Sequence, residues 1–147
     1  MAYFTIEEFL KSDVAEERGI DNTPNEREME NLNELIEIME KIRVRWTEWC
    51  EKNDKPDPRI IVTSGFRCDA LNEAVKGSKT SQHRTGSAVD FIAANGYTKS
   101  LYGVIVCMLN NGEIEVSQLI DENSWSWIHL GLYEGGKYNQ LLSLCTE

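Results

Sequence analysis

The chain has 147 residues, 41% hydrophobic and 27% charged, which suits one domain with its own core and leaves no apolar run of the roughly 18 residues that span a bilayer. Its formal charge of −10 opposes binding to nucleic-acid phosphates and to anionic membrane surfaces. The opening "MAYFTIEEFLKSDVAEERG" lacks a basic leader and carries Glu7 and Glu8 within its apolar pattern, so a signal peptide is not expected and synthesis in the cytoplasm is.

In chain order, "YFTIEEFLKSDVAEERG" predicts a short helix capped by Thr5, with Glu8 completing a capping box and Gly19 as the stop. Thr23 before Pro24, with Glu26 three residues on, predicts the start of a long helix over about 24–51. Met29, Leu32, Leu35, Ile36, Met39, Ile42, Val44 and Trp46 recur there at helical spacing. Two prolines in "KPDPRIIVTSGFR" end it, and Ile60 to Val62 read as a strand closing at Ser64-Gly65. "CDALNEAVKG" reads as a short helix and "SKTSQHRTG" as a polar loop.

"SAVDFIAA" alternates, with Ala88, Asp90 and Ile92 on one face and Val89, Phe91 and Ala93 on the other. A helix follows from Thr98 to about Leu109, closed by Asn-Asn-Gly. "EIEVSQLI" and "SWSWIHLGLY" read as strands joined through "DENS", and "GGKYNQLLSLCTE" as a short helical end. Helices lead and strands follow. The expected fold is α+β, one domain over 1–147, with N-terminal helices on a small, mainly antiparallel sheet. Cys50, Cys68, Cys107 and Cys145 are too widely spaced for a CxxC motif and read as reduced thiols, with two disulfides as the alternative.

The chain has two histidines, and both sit beside strands. In "WSWIHLGLY" the alternation puts Ile128, Leu130 and Leu132 on the core side and His129 with Trp127 on the other. In "HRTGS" the chain can turn at Gly86 and bring His83 beside Asp90. Two imidazoles, one carboxylate and an open position form the donor set of a catalytic zinc site, where zinc lowers the pKa of water to about 7 and polarises a carbonyl. A histidine beside an apolar strand is also an ordinary packed residue, and spacing alone leaves both readings open.

"SGFR", then "SKTSQHRTGSAVD", then "WIH" resemble, in order, the motifs of the zinc D-Ala-D-Ala carboxypeptidase family, which includes peptidoglycan peptidases and phage endolysins and shares its metal scaffold with hedgehog-type domains. The opening "FTIEEFLKSDVAEERGIDNTP" is similar to the N-terminal segment of one branch, so the resemblance spans residues 4 to about 133. It implies His83, Asp90 and His129 as ligands of Zn2+, and Arg67 as the residue that holds a substrate carboxylate or the developing oxyanion. Ser81 and Gln82 would bind substrate or orient their loop, and Gly86 and Ala88 would be small to pack beside the metal.

Many members carry an acidic base three positions before the last histidine. Here that position is Ser126, which cannot accept a proton at neutral pH. Glu122 is the favoured base and Asp121 the fallback. A tight turn at Asn123-Ser124 would pair Glu122 with Trp125 and leave it four residues, about 13 Å along the strand, from His129.

The function so implied is a zinc metallopeptidase hydrolysing peptidoglycan stem peptides, as a D,D-carboxypeptidase or endopeptidase, in a phage or prophage lysis setting. It would act on the cell wall as a monomer. The alternatives are a non-catalytic zinc-containing wall-binding or phage structural module, motivated by Ser126, and a metal-free adaptor with two core histidines.

Overall fold

The computed structural model describes residues 2–122, 124–132 and 140–143. Helices α1 (Ile6–Leu10), α2 (Asp13–Arg18) and α3 (Glu26–Lys52) come first, then β1 (Ile60–Ser64) and α4 (Asp69–Ala74). β2 (Ala88–Ala93), α5 (Thr98–Asn110), β3 (Gln118–Glu122), β4 (Trp127–Gly131) and β5 (Gln140–Ser143) complete the order. The architecture is the α+β arrangement expected. Among the described residues no helix is long and apolar enough to cross a membrane.

Several boundaries differ from expectation, each for a local reason. The first predicted helix is two, because the Ser12 hydroxyl accepts a hydrogen bond from the Ala15 amide at 3.2 Å and starts a new helix. Thr5 stands at the N-cap of α1 but its side chain makes no cap bond. Gly19 ends α2 in the left-handed conformation, as expected. α3 begins two residues later than predicted. Asn25 and Glu28 form its capping box, both bonds at 2.8 Å, while the Thr23 hydroxyl donates to Asp21 at 2.6 Å. Asn25 and Glu28 have the same three-residue spacing as Thr23 and Glu26, and asparagine caps better than threonine.

One stripe of α3 is buried: Leu32, Leu35, Met39, Ile42, Trp46 and Cys50. Val44 falls off it and is exposed. Each large side chain so buried contributes about 1.5–3 kcal/mol relative to exposure. The stripe packs with Leu101, Ile105 and Met108 of α5 against one face of the sheet, which presents Val89, Phe91, Leu119, Ile128 and Leu130.

The sheet runs β1-β2-β4-β3-β5. Its first four strands pair antiparallel, and β5 lies parallel to β3. Residues 140–143 are therefore a strand, not the helical end expected. A short apolar run is ambiguous by periodicity, and the open edge of β3 decides it; the rest of that tail lies outside the described residues, as does Cys145. β3 also starts later than expected. Ile114 and Val116 are buried, but the segment before Gln118 is not strand.

The opposite face of the sheet is only partly covered. It carries Ser64, Asp90, His129, Trp127, Ile120 and Glu122.

Candidate active site

Strand register alone brings two of the expected ligands together. Asp90 of β2 lies directly opposite His129 of β4, so their side chains share a face, and His129 Nδ1 sits 2.8 Å from Asp90 Oδ1. On the other side of Asp90, an irregularity between Val62 and Ser64 sets Ser64 opposite it.

The third ligand comes from what was expected to be plain loop. Gln82–Thr85 form a 3₁₀ turn that ends at Gly86 with φ 74°. The Ser81 hydroxyl accepts from the His83 amide at 3.2 Å, and the His83 carbonyl accepts from the Arg67 amide at 3.0 Å. His83 Nδ1 donates to the Gly65 carbonyl at 2.7 Å, which turns Nε2 toward Asp90 Oδ2 at 3.3 Å. One ligand atom from each of His83, Asp90 and His129 lies within 4.8 Å of the others. His83 is buried, whereas the side chains of Asp90 and His129 keep 14% and 15% of their surface open, so a ligand can approach from one side.

The electrostatics suit a cation. Burial alone would raise the Asp90 carboxyl, but hydrogen bonds from His129 and His83, with their charges, outweigh it and hold the group well below the ordinary carboxylate range. The site therefore keeps a fixed anion between two imidazoles. Two nitrogens and one carboxylate oxygen, one imidazole anchored by a backbone carbonyl behind it, fit a divalent ion with an exchangeable position.

Glu122 lies nearer than the sequence suggested. The β3–β4 turn is wider than a two-residue hairpin. The Ser126 amide donates to the Glu122 carbonyl, and Ser124 and Trp125 have positive φ. Glu122 consequently pairs with Trp127, two residues or about 7 Å from the His129 register, rather than with Trp125. Its carboxylate accepts a hydrogen bond from Trp127 Nε1. Asp121, the fallback, points the other way, opposite Ile128 in the core and fully buried.

Arg67 donates from Nε to the Ser64 hydroxyl at 3.3 Å and from Nη1 to Asn72 Oδ1 at 3.2 Å. Burial pushes its guanidinium below the usual arginine value, against the pull of Asp90. Gln82 donates from Nε2 to the Leu132 carbonyl at 3.1 Å and packs on Gly131, tying the turn to β4.

Two supporting residues escaped the sequence reading. Gly65 is pressed by α1: a Cβ there would stand 2.2 Å from the Phe9 carbonyl oxygen. Asn22, within "GIDNTP", donates to the Leu10 and Phe66 carbonyls at 3.0 and 2.9 Å and accepts from the Cys68 amide at 2.8 Å, bracketing Arg67 on both sides. Its position within "GIDNTP" was the only signal, because its partners lie 12 to 46 residues away.

A sequence profile of the peptidase M15 family matches residues 2–130. The chain belongs to the peptidase M15 family. No curated protein matches it. As an M15 peptidase it hydrolyses peptide bonds, and His83, Asp90 and His129 form the group that could hold the metal on which the family depends.

Proposed function

We propose that this M15 peptidase is a zinc enzyme that hydrolyses the stem peptides of peptidoglycan, as a D,D-carboxypeptidase or an endopeptidase. One observation carries the reading: a His–Asp–His donor set and a separate carboxylate, Glu122, occupy the same open face of one sheet. His83 through Nε2, His129 through Nδ1 and an Asp90 oxygen would hold the ion. Zinc supplies Lewis acidity that polarises a carbonyl and acidifies water.

The chain's own residues then have these roles. Glu122 takes the proton of the attacking water and returns it to the leaving amine. Trp127 fixes which way that carboxylate points. Arg67 holds a substrate carboxylate or the oxyanion with its planar donors. The Ser81 hydroxyl accepts from the His83 amide and Gln82 Nε2 donates to the Leu132 carbonyl, which supports loop orientation over substrate contact. A carboxylate on the face of the donor set supports catalysis over a binding-only module, because Glu122 would supply the base that Ser126 cannot. Phage-mediated lysis, with synthesis in the cytoplasm and release to the wall, belongs to the same proposal.

The test is mass spectrometry of muropeptides after digestion of purified peptidoglycan. Wild type is expected to release peptide fragments, and His83→Ala or added chelator to release none. Matching product profiles for wild type and His83→Ala would remove the proposed chemistry.

A further inference from the structure

A cleft of about 770 Å³ lies beside the metal group without including it. Every residue from Arg59 to Arg67 lines it. Neighbouring strand residues point to opposite faces, so an unbroken run of lining residues means that the cleft meets the backbone edge of β1 rather than one of its faces. β1 is a terminal strand of the sheet, and among the described residues nothing ladders onto its outer edge. The edge closes at one point, where the Phe66 amide donates to the Phe9 carbonyl at 2.7 Å. That leaves Ile60–Ser64, about 17 Å of strand, for an extended partner.

The walls show what kind of partner fits. Tyr3, Ile61 and Val75 line the cleft with 42%, 42% and 38% of their surface exposed, three of the five exposed large hydrophobics among the described residues. Such side chains on an open edge mark a binding surface. The charge is inverted relative to the whole molecule: Lys11, Arg43, Arg59 and Arg67 line the cleft against only Glu8 and Asp13, in a chain of net charge −10. Arg59 is partly spent on Asp57, with two contacts of 2.7 Å, while Arg43 stacks over Tyr3. The end nearest the His83–Asp90–His129 group is continuous with it, since Ser64 accepts from Arg67 and lies opposite Asp90.

We propose that the outer edge of β1 is the docking strand for the substrate: an extended, carboxylate-bearing peptide adds to the sheet there and crosses Ser64 to reach the His83–Asp90–His129 group. Backbone pairing with the edge supplies affinity that does not depend on side-chain identity. Tyr3, Ile61 and Val75 take apolar side groups, and Lys11 and Arg43 take carboxylates along the stem. This inference rests on the stem-peptide reading above and states how that substrate is held.

The experiment follows the backbone amides of the full chain by NMR during titration with a synthetic stem peptide. Amides of Ile60–Ser64 are expected to shift, and those facing outward to gain protection from hydrogen exchange. In steady-state hydrolysis of the same peptide, the double variant Ile61→Asp, Arg43→Glu is expected to raise KM about tenfold with kcat within about twofold, the pattern of lost ground-state binding. An unchanged melting temperature shows that the variant is folded, and a single Arg43→Glu variant, on the helix surface, gives the smaller KM shift if it is not.

Peptide cleavage with shifts confined to the surroundings of His83 and Arg67 would overturn the docking strand and leave the peptidase reading standing. Absence of both binding and cleavage would overturn the two together. Concentration-dependent pairing of two copies through β1, abolished by Ile61→Asp while KM stays unchanged, would assign the edge to a dimer instead.

Discussion

Asp121 and Glu122 are neighbours of identical chemistry on one strand, yet the sheet assigns them to opposite worlds. Asp121 faces α3 and α5 and is fully buried, opposite Ile128. Glu122 faces the open side, opposite Trp127 and two residues from the His129 register. The strand's period of two is the whole cause. One face of the sheet is filled by leucines, isoleucines and aromatics whose job is burial. The other is left partly bare, and that is where the polar groups able to do chemistry collect. A residue's face predicts its role better than its type does.

The largest effect that would sharpen this comparison is on catalysis. Glu122→Gln is expected to lower kcat by about 10²–10⁴-fold while metal content measured by mass spectrometry stays at the wild-type level. Asp121→Asn is expected to leave kcat within about threefold and to lower stability by about 1–3 kcal/mol, because it alters a buried hydrogen-bonding group. A large kcat loss in Asp121→Asn with Glu122→Gln active would break the comparison outright.

On the packed face, Leu35→Ala is expected to cost about 2–5 kcal/mol in urea unfolding, with KM and kcat nearly unchanged in the folded fraction. Leu35 is fully buried in the α3 stripe and touches none of the ligands' hydrogen bonds. Between the two faces stands Gly65. Gly65→Ala drives a methyl group into the Phe9 carbonyl and displaces the oxygen that anchors His83. A loss of metal affinity of about 10–100-fold is expected by metal titration, the usual effect of disturbing a group behind a ligand.

The smallest effect lies outside both faces, in the segment just before β1. The hydrogen bond from Arg59 holds the Asp57 carboxyl down to about 2. Its folded value lies below the ordinary 3.8, so the pair's contribution to stability is present above about pH 4 and is lost as pH falls through about 2. Asp57→Asn is expected to remove that slope. Melting curves from pH 5 to 2 should converge for wild type and variant at the acid end. As the pair is exposed, the separation at pH 5 is expected to be slight.

Much of the fold was legible beforehand because short-range chemistry decides it. The α3 stripe, the alternation of "SAVDFIAA" and "WIHLG", and the stop at Gly19 follow from periods and from the φ that glycine tolerates. Where two local solutions were nearly equal, reading failed. Asn25 capped α3 instead of Thr23, and Ser12 split one helix into two. The four residues 140–143 took strand because β3 offered an unpaired edge, which no local pattern records.

For the site, residue types and spacing pointed to two imidazoles and a carboxylate as a possible metal set, with motif resemblance joining segments 39 residues apart. Their convergence was another matter. It depends on the register of β2 against β4 and on the 3₁₀ turn held by Ser81, Gly65 and Arg67. The reach of Glu122 was misjudged because turn width sets strand pairing, and Ser124 and Trp125 adopt positive φ that side-chain chemistry does not announce.

By itself the amino-acid order determined which positions alternate, which stripe is apolar and which side chains can bind a cation, since those properties act over a few bonds. Only the tertiary structure decided which of two adjacent carboxylates shares the sheet face of Asp90 and His129, how Asn22 clamps the segment around Arg67, and that among the described residues no further strand pairs with the outer edge of β1. These outcomes depend on contacts between residues far apart in the chain, and such contacts exist only once the strands have chosen their partners.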